Sequence, residues 1–316
     1  MSNPELSIVF MGSAEFAVPS LSALKDAGYG ITAVVTQPDR ARGRGGHVLP
    51  TPVGLYAEKA GLLLLKPEFL KGNDEFENAL LKAAPDLIVV AAYGKILPKF
   101  VLDIPPLGCV NIHASLLPEY RGAAPVQREI LDGKQETGVT LMYVTEELDA
   151  GDMIETAKVD ASGMNAGELT ETLAKLGAEL LLEEIPLLAE GTAPRIPQDE
   201  TKATYAQKVE KAEGRLDFGQ TAEEITLRVR AMTPSPGAYI QAQGERIGVT
   251  AARALGPEYR GYDEAAPGTV LDVSKHGIAL RAGEGVVLIE ALKMPGRKAM
   301  PVAEYLKGNA FNAKSL

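Results

Sequence analysis

The feature that most constrains this chain is an alternation of short, uninterrupted apolar runs with helical stretches through its first half. Ser7-Ile-Val-Phe-Met11, Ile31-Thr-Ala-Val-Val35, Asp86-Leu-Ile-Val-Val-Ala-Ala92, Gly108-Cys-Val-Asn-Ile-His113 and Val139-Thr-Leu-Met-Tyr-Val144 read as strands. Helical patterns near 14–26, 74–84 and 126–132 separate them. Strands with no polar alternation are buried on both faces, and helices between them supply the cover. The pattern predicts an α/β domain, Rossmann-like, with a doubly wound and mostly parallel sheet. A long helix from Ala166 to Leu188 follows, with Leu169, Leu173, Leu176 and Leu180 on one stripe and Pro186 expected to bend or end it.

The texture changes after that helix. The polar, proline-bearing stretch 191–207 reads as a linker. Beyond it, an amphipathic helix at 221–231 precedes short strands near 238–242, 246–251, 268–273, 278–280 and 286–291, separated by Gly or Pro. That spacing predicts a small OB-like β-barrel. The expected domains are therefore 1–190, a linker at 191–207, and 208–316.

Length fits this two-domain reading, since 316 residues exceed one ordinary domain. No apolar run approaches the roughly 18 residues of a membrane span, and no secretory signal is expected at the start. With Cys109 the single cysteine, neither an intrachain disulfide nor a cysteine metal cluster is expected. The expectation is a cytoplasmic protein. The net charge of −10 is uneven: from Lys208 onward 15 basic residues face 13 acidic ones, against 17 and 29 before it. A near-neutral second part admits a polyanionic partner that the total charge argues against.

A doubly wound sheet invites a dinucleotide reading, but the first turn rejects it. Gly12-Ser-Ala-Glu-Phe-Ala17 lacks the second and third glycines that let a backbone approach a pyrophosphate, and no Walker loop is present. Chemistry points instead to the fourth long strand. Asn111 and His113 lie two apart, so they share one face at the carboxyl end of that strand, where open α/β sheets bind ligands. Asp149, in Glu147-Leu-Asp-Ala-Gly-Asp152, follows the next strand. An amide, an imidazole and a carboxylate gathered at one sheet edge suit attack of an amine on a carbonyl. Asn111 and His113 would donate to the developing oxyanion, while Asp149 would orient the ring or relay a proton.

These residues carry a resemblance. Asn111-x-His113, Ser115-Leu-Leu-Pro118, Arg121-Gly-Ala-Ala-Pro-Val-Gln127 and Leu148-Asp-Ala-Gly-Asp152 resemble the folate-dependent formyltransferases, end to end with Thr36-Gln-Pro-Asp-Arg40, Pro267-Gly-Thr-Val270 and Gly296-Arg-Lys-Ala-Met300. The resemblance is to the branch that acts on tRNA. It implies formyl transfer from 10-formyltetrahydrofolate, as co-substrate, to the methionine of initiator methionyl-tRNA, with no metal and no membrane, by a monomer. It assigns catalysis to Asn111, His113 and Asp149, and the folate site to Ser115, Leu116, Leu117 and Pro118. The stretch Tyr93–Pro98, with Lys95, Ile96 and Leu97, would wall the pterin pocket. The glycine-rich segment 37–50 would be a flexible loop reaching RNA through Arg40, Arg42 and Arg44, and the barrel through Arg297 and Lys298. The chain departs from the family's pattern at Gly46, His47 and Glu119, where basic residues are usual. An amino sugar, glycinamide ribonucleotide or water as acceptor, and a non-catalytic RNA-binding scaffold, are alternatives. The 36–40 loop and the second domain disfavour the other acceptors, and retention of all three polar residues disfavours the scaffold.

Overall fold

The β-branched and aliphatic runs form a seven-stranded sheet in the computed structural model, which describes residues 6–42, 47–242, 244–256, 259, 262 and 264–316. In chain order the strands of the first half are β1 (Ser7–Gly12), β2 (Gly30–Val35), β3 (Arg40–Arg42), β4 (His47–Leu49), β5 (Leu64–Leu65), β6 (Leu87–Ala91), β7 (Cys109–His113), β8 (Arg121–Gly122), β9 (Glu136–Tyr143) and β10 (Met153–Asp160). The main sheet runs β10-β9-β7-β6-β1-β2-β5. Strands β5, β2, β1, β6 and β7 are parallel, while β9 and β10 close one edge antiparallel. Strand β1 is buried on both faces: Val9 and Met11 pack with Phe76 and Leu80, and Ile8 and Phe10 are equally inaccessible on the other side. Edge strand β10 buries only Ile154, and its exposed Glu155 and Lys158 discourage further strand addition.

The helices are α1 (Val18–Asp26), α2 (Pro52–Ala60), α3 (Asp74–Ala83), α4 (Lys99–Asp103), α5 (Pro125–Leu131) and α6 (Ala166–Glu190). Pro186 does not end α6; the helix runs on to Glu190. Ile185 and Leu188 are buried on either side of the exposed proline, and their packing offsets the hydrogen bond that proline cannot donate. The segment 37–50 also differs from the expected loop. Arg40 pairs with Leu49, Ala41 with Val48 and Arg42 with His47, forming a two-stranded ribbon.

Contacts divide the chain into two units. The first contains residues through Pro125, Glu136–Asp160 and Thr170–Ala206; the second contains Val126–Gln135, Ala161–Leu169 and Gln207–Leu316. Arg128 helps to explain why 126–135 groups with the later residues. It pairs with Glu213 at 2.7 Å and donates to the carbonyls of Gln207 and Lys208. Residues 196–206, expected within a linker, are bonded into the first unit: Ile196 bridges Met153, and β11 (Tyr205–Ala206) pairs in parallel with β8.

The second unit is an antiparallel sheet domain. Its strands are β12 (Ala238–Ala242), β13 (Glu245–Leu255), β14 (Val270–Ser274), β15 (Gly277–Arg281), β16 (Val286–Lys293) and β17 (Met300–Pro301), ordered β12-β13-β16-β15-β14 with β17 beside β16. Helix α7 (Ala222–Met232) buries Ile225, Val229 and Met232 in a core shared with Ile240, Ile247, Ile278 and Ile289, and α8 (Val302–Leu306) adds Val302 and Tyr305. A capping box starts α7: Thr221 Oγ1 accepts from the Glu224 amide, and Glu224 accepts from the Thr221 amide. No helix among the described residues is long and apolar enough to cross a membrane.

Candidate active site

Strand β7 sets two of the three candidate groups. It lies between β6 and β9, with Asn111 opposite Val90 and Met142, and His113 opposite Thr140. Val110 and Ile112 are buried on the opposite face, so the strand is locked by its core side. Asn111 is half-buried, and its side-chain amide makes no hydrogen bond to any described residue. His113 ends the strand at 5% exposure.

Both nitrogens of the His113 ring have defined neighbours. Nε2 lies 3.0 Å from the Tyr120 carbonyl oxygen, and Nδ1 lies 3.7 Å from Asp149 Oδ2. A carbonyl only accepts, so Nε2 carries the hydrogen and Nδ1 is the basic nitrogen of the neutral ring. The neutral imidazole therefore spends its donor on Tyr120; donation to an oxyanion, as the sequence reading expects, requires a proton on Nδ1. The distance to Asp149 is too long for a hydrogen bond and short enough for strong attraction to an imidazolium.

Asp149 is held by its neighbours. Its Oδ2 accepts from the Gly122 amide at 2.8 Å, and its backbone sits in the left-handed region at φ 49°. Gly122 itself has φ 121°, and a Cβ there would meet the Ala206 carbonyl at 2.8 Å, so only glycine brings this amide to the carboxylate.

The turn after His113 is built by Thr140. Its hydroxyl donates to the Ser115 carbonyl at 2.7 Å and accepts from the Leu117 amide at 3.0 Å. Ser115 is fully buried and donates to the Glu119 carbonyl at 2.7 Å. The Leu117–Pro118 bond is cis, and Tyr120 takes a left-handed conformation at φ 61° that turns its carbonyl toward the imidazole. Of this turn, Leu117 is buried, while Leu116 and Pro118 are partly exposed.

The loop after β6 lies one strand away. Lys95 Nζ donates to the carbonyls of Pro67 and Glu68 at 3.0 and 2.7 Å, and burial, with the nearby Arg40 charge, lowers its pKa. Leu97 belongs to the core, whereas Ile96 is 74% exposed at the carboxyl edge of the sheet. The same loop is tied to the root of the β3–β4 ribbon: Gln37 Nε2 donates to the Tyr93 carbonyl at 2.8 Å, and the Gln37 amide donates to Ser13 Oγ. Arg40 is exposed on β3, Arg42 lies on β3 by its backbone, and Arg44 lies outside the described residues. In the second unit Arg297 and Lys298 are exposed on the turn after β16.

Sequence reasoning missed the partners that aim these groups. Thr140 acts through a side-chain hydroxyl on the neighbouring strand, and Tyr120 and Gly122 act through backbone geometry, which leaves little trace in residue type. Gln198 lies 49 residues beyond Asp149, and its Nε2 donates to the carbonyls of Asp149 and Gly151, both at 2.8 Å. Its only sequence signal is a place in a polar stretch.

Taken together, the strand end offers two free amide donors, one basic ring nitrogen and one anchored carboxylate, a set fitted to acyl transfer onto an amine. Comparison with known proteins agrees. Residues 6–185 match the model described as formyl transferase, and residues 208–310 match the formyl transferase C-terminal domain. The methionyl-tRNA formyltransferase of Moorella thermoacetica is 44% identical over 304 residues, 96% of each chain. Among solved structures, HypX from Aquifex aeolicus, in complex with tetrahydrofolic acid, is similar at TM-score 0.65 and 19% identity over 96% of this chain and 47% of its own. An N-formyltransferase from Helicobacter canadensis, in complex with folinic acid and dTDP-3-aminofucose, is similar at TM-score 0.67 and 16% identity over 90% of this chain and 98% of that one. At those identities the two structures speak for the fold. The matched domains and the 44% relative place this chain in the formyltransferase family, among the methionyl-tRNA formyltransferases.

Proposed function

We propose that this protein transfers the formyl group of 10-formyltetrahydrofolate to the α-amino group of the methionine on initiator tRNA, giving N-formylmethionyl-tRNA. The observation that carries the reading is the unpartnered Asn111 amide beside a His113 ring whose basic nitrogen faces Asp149. Asn111 donates to the acyl oxygen as negative charge develops there, a contribution of about 2.7–4 kcal/mol for one such donor. His113 takes the proton of the attacking amine at Nδ1, and that proton passes to N10 of the folate as the bond between the formyl carbon and N10 breaks and tetrahydrofolate leaves. The Asp149 carboxylate stabilises the resulting imidazolium, its oxygen fixed by the Gly122 amide. The folate contributes the activated acyl group; Ile96, Leu116 and Pro118 offer apolar surface near the site for its ring system.

RNA contact is assigned to Arg40 and Arg42 on the ribbon, to Arg44, which lies outside the described residues, and to Arg297 and Lys298 on the second unit. The catalytic residues are assigned to the first part of the chain, 1–190 together with the bonded stretch 196–206, and tRNA binding to 208–316. The enzyme is further proposed to act in the cytoplasm as a monomer; the candidate groups His113, Asp149 and Gly122 meet within one chain. An amino-sugar acceptor shares this fold but not the sequence likeness to the methionyl-tRNA enzymes. Labelled 10-formyltetrahydrofolate offered methionyl initiator tRNA and, separately, a nucleotide-linked amino sugar distinguishes the two. The label is expected on the tRNA alone; label on the sugar, or on neither, overturns the proposal.

A further inference from the structure

The stretch Ile196-Pro-Gln-Asp-Glu-Thr-Lys-Ala-Thr-Tyr-Ala206 is polar and reads as a tether, yet it is bonded to two loops of the candidate site. Ile196 and Met153 exchange both backbone hydrogen bonds, at 2.8 and 2.9 Å. Thr204 accepts from the Tyr120 amide through its hydroxyl, and its carbonyl accepts from the Arg121 amide, each at 2.8 Å. Gln198 stands at the centre. Its Nε2 donates to the carbonyls of Asp149 and Gly151, while its Oε1 accepts from Arg121 Nε at 3.0 Å and from Arg121 Nη2 at 2.8 Å.

That arrangement fixes the amide in one orientation. A guanidinium only donates and backbone carbonyls only accept, so a flipped amide would lose every partner. Arg121, 2% exposed, is pinned in turn by a bidentate pair with Glu200, at 3.0 and 2.6 Å. The pair holds the Glu200 carboxyl below the usual range. The circuit then closes, because the residue after Arg121 is Gly122, whose amide binds Asp149 Oδ2. Asp149 is thus gripped by side chain from one loop and by backbone from another. Its left-handed conformation is disfavoured for a non-glycine residue and persists only where its surroundings impose it.

We infer that Gln198 is a positioning residue: through its two bonds to the 149–151 backbone, and braced by Arg121 and Glu200, it aims the Asp149 carboxylate at His113 Nδ1. This rests on the reading of Asp149 as a working carboxylate. A misplacement of about 1 Å at a reacting group can cost roughly a hundred-fold in rate. Gln198→Met keeps length and removes both bonds to the loop. It is expected to lower kcat about ten- to a hundred-fold while KM for methionyl-tRNA and for 10-formyltetrahydrofolate moves less than about three-fold.

A double-mutant cycle separates positioning from general support of the fold. If Gln198 acts by aiming Asp149, adding Gln198→Met to Asp149→Ala changes kcat by less than about two-fold. A kcat loss in the Asp149→Ala background as large as that in the native one overturns the inference, as does native kcat in Gln198→Met. Should Asp149→Ala itself retain native kcat, the catalytic reading fails first and the positioning role with it. Glu200→Gln, at an exposed carboxylate, gives a second reading if Gln198→Met does not fold: a smaller kcat loss at constant KM is expected, and native kcat there counts against the brace.

Discussion

With Nε2 committed to Tyr120 and Nδ1 turned to Asp149, His113 has one nitrogen for chemistry, and each neighbour contributes a separable loss. Asn111→Ala should lower kcat by about a hundred-fold or more without moving the thermal midpoint, because its amide bonds to no described residue. Steady-state kinetics alongside a melting curve checks both halves. Away from the site, burial pushes the Cys109 thiol up to about 12. The folded chain then keeps a proton that the unfolded chain gives up from roughly pH 8.5. That contribution is fully present at lower pH and is lost as pH rises toward 12, at up to about 1.4 kcal/mol per unit. Urea midpoints measured between pH 8 and 10.5 should fall, and Cys109→Ala should shallow the slope. The triad was legible because strand periodicity puts Asn111 and His113 on one face and topology brings the next strand's end beside it. The tautomer was not, since it depends on a carbonyl seven residues away whose direction comes from the backbone of Tyr120.

Elements with strong periodicity were readable, and those built from pairing were not. The five long strands and α7 match their apolar patterns to within a few residues, since burial on a fixed period leaves a mark in composition. Strands β3 and β4 carry no such pattern: a glycine-rich basic stretch looks like a loop, and cross-strand pairing alone makes it a ribbon. Helix α6 shows the reverse, a local breaker overruled by packing. Pro186 is exposed, so Pro186→Ala restores a helix hydrogen bond without disturbing the core. It should stabilise the protein by about 1–2 kcal/mol, the helix gain being partly offset by a freer unfolded chain. Thr221→Ala removes the oxygen that caps α7 and should cost about 1 kcal/mol. Both shifts are read from urea midpoints at neutral pH.

For the whole molecule, composition foretold two parts but not their discontinuous membership, because residues 126–135 and 161–169 join the later unit through contacts that sequence distance conceals. The charge split still bears on function. If the second unit grips phosphates, the logarithm of the tRNA association constant falls linearly with the logarithm of salt concentration. Arg297→Ala and Lys298→Ala should each reduce that slope by about one, measured by filter binding from low to moderate salt. An unchanged slope removes those two residues from the interface.

The bonds made by residues 196–206 bear on how such a chain can be dissected. The formyl transferase model ends at residue 185, short of Gln198, Glu200 and Thr204. A fragment trimmed there would retain every residue in the reaction and lose the scaffolding around them. An excised catalytic half must therefore be carried through Ala206, where the last rung on Gly122 is made.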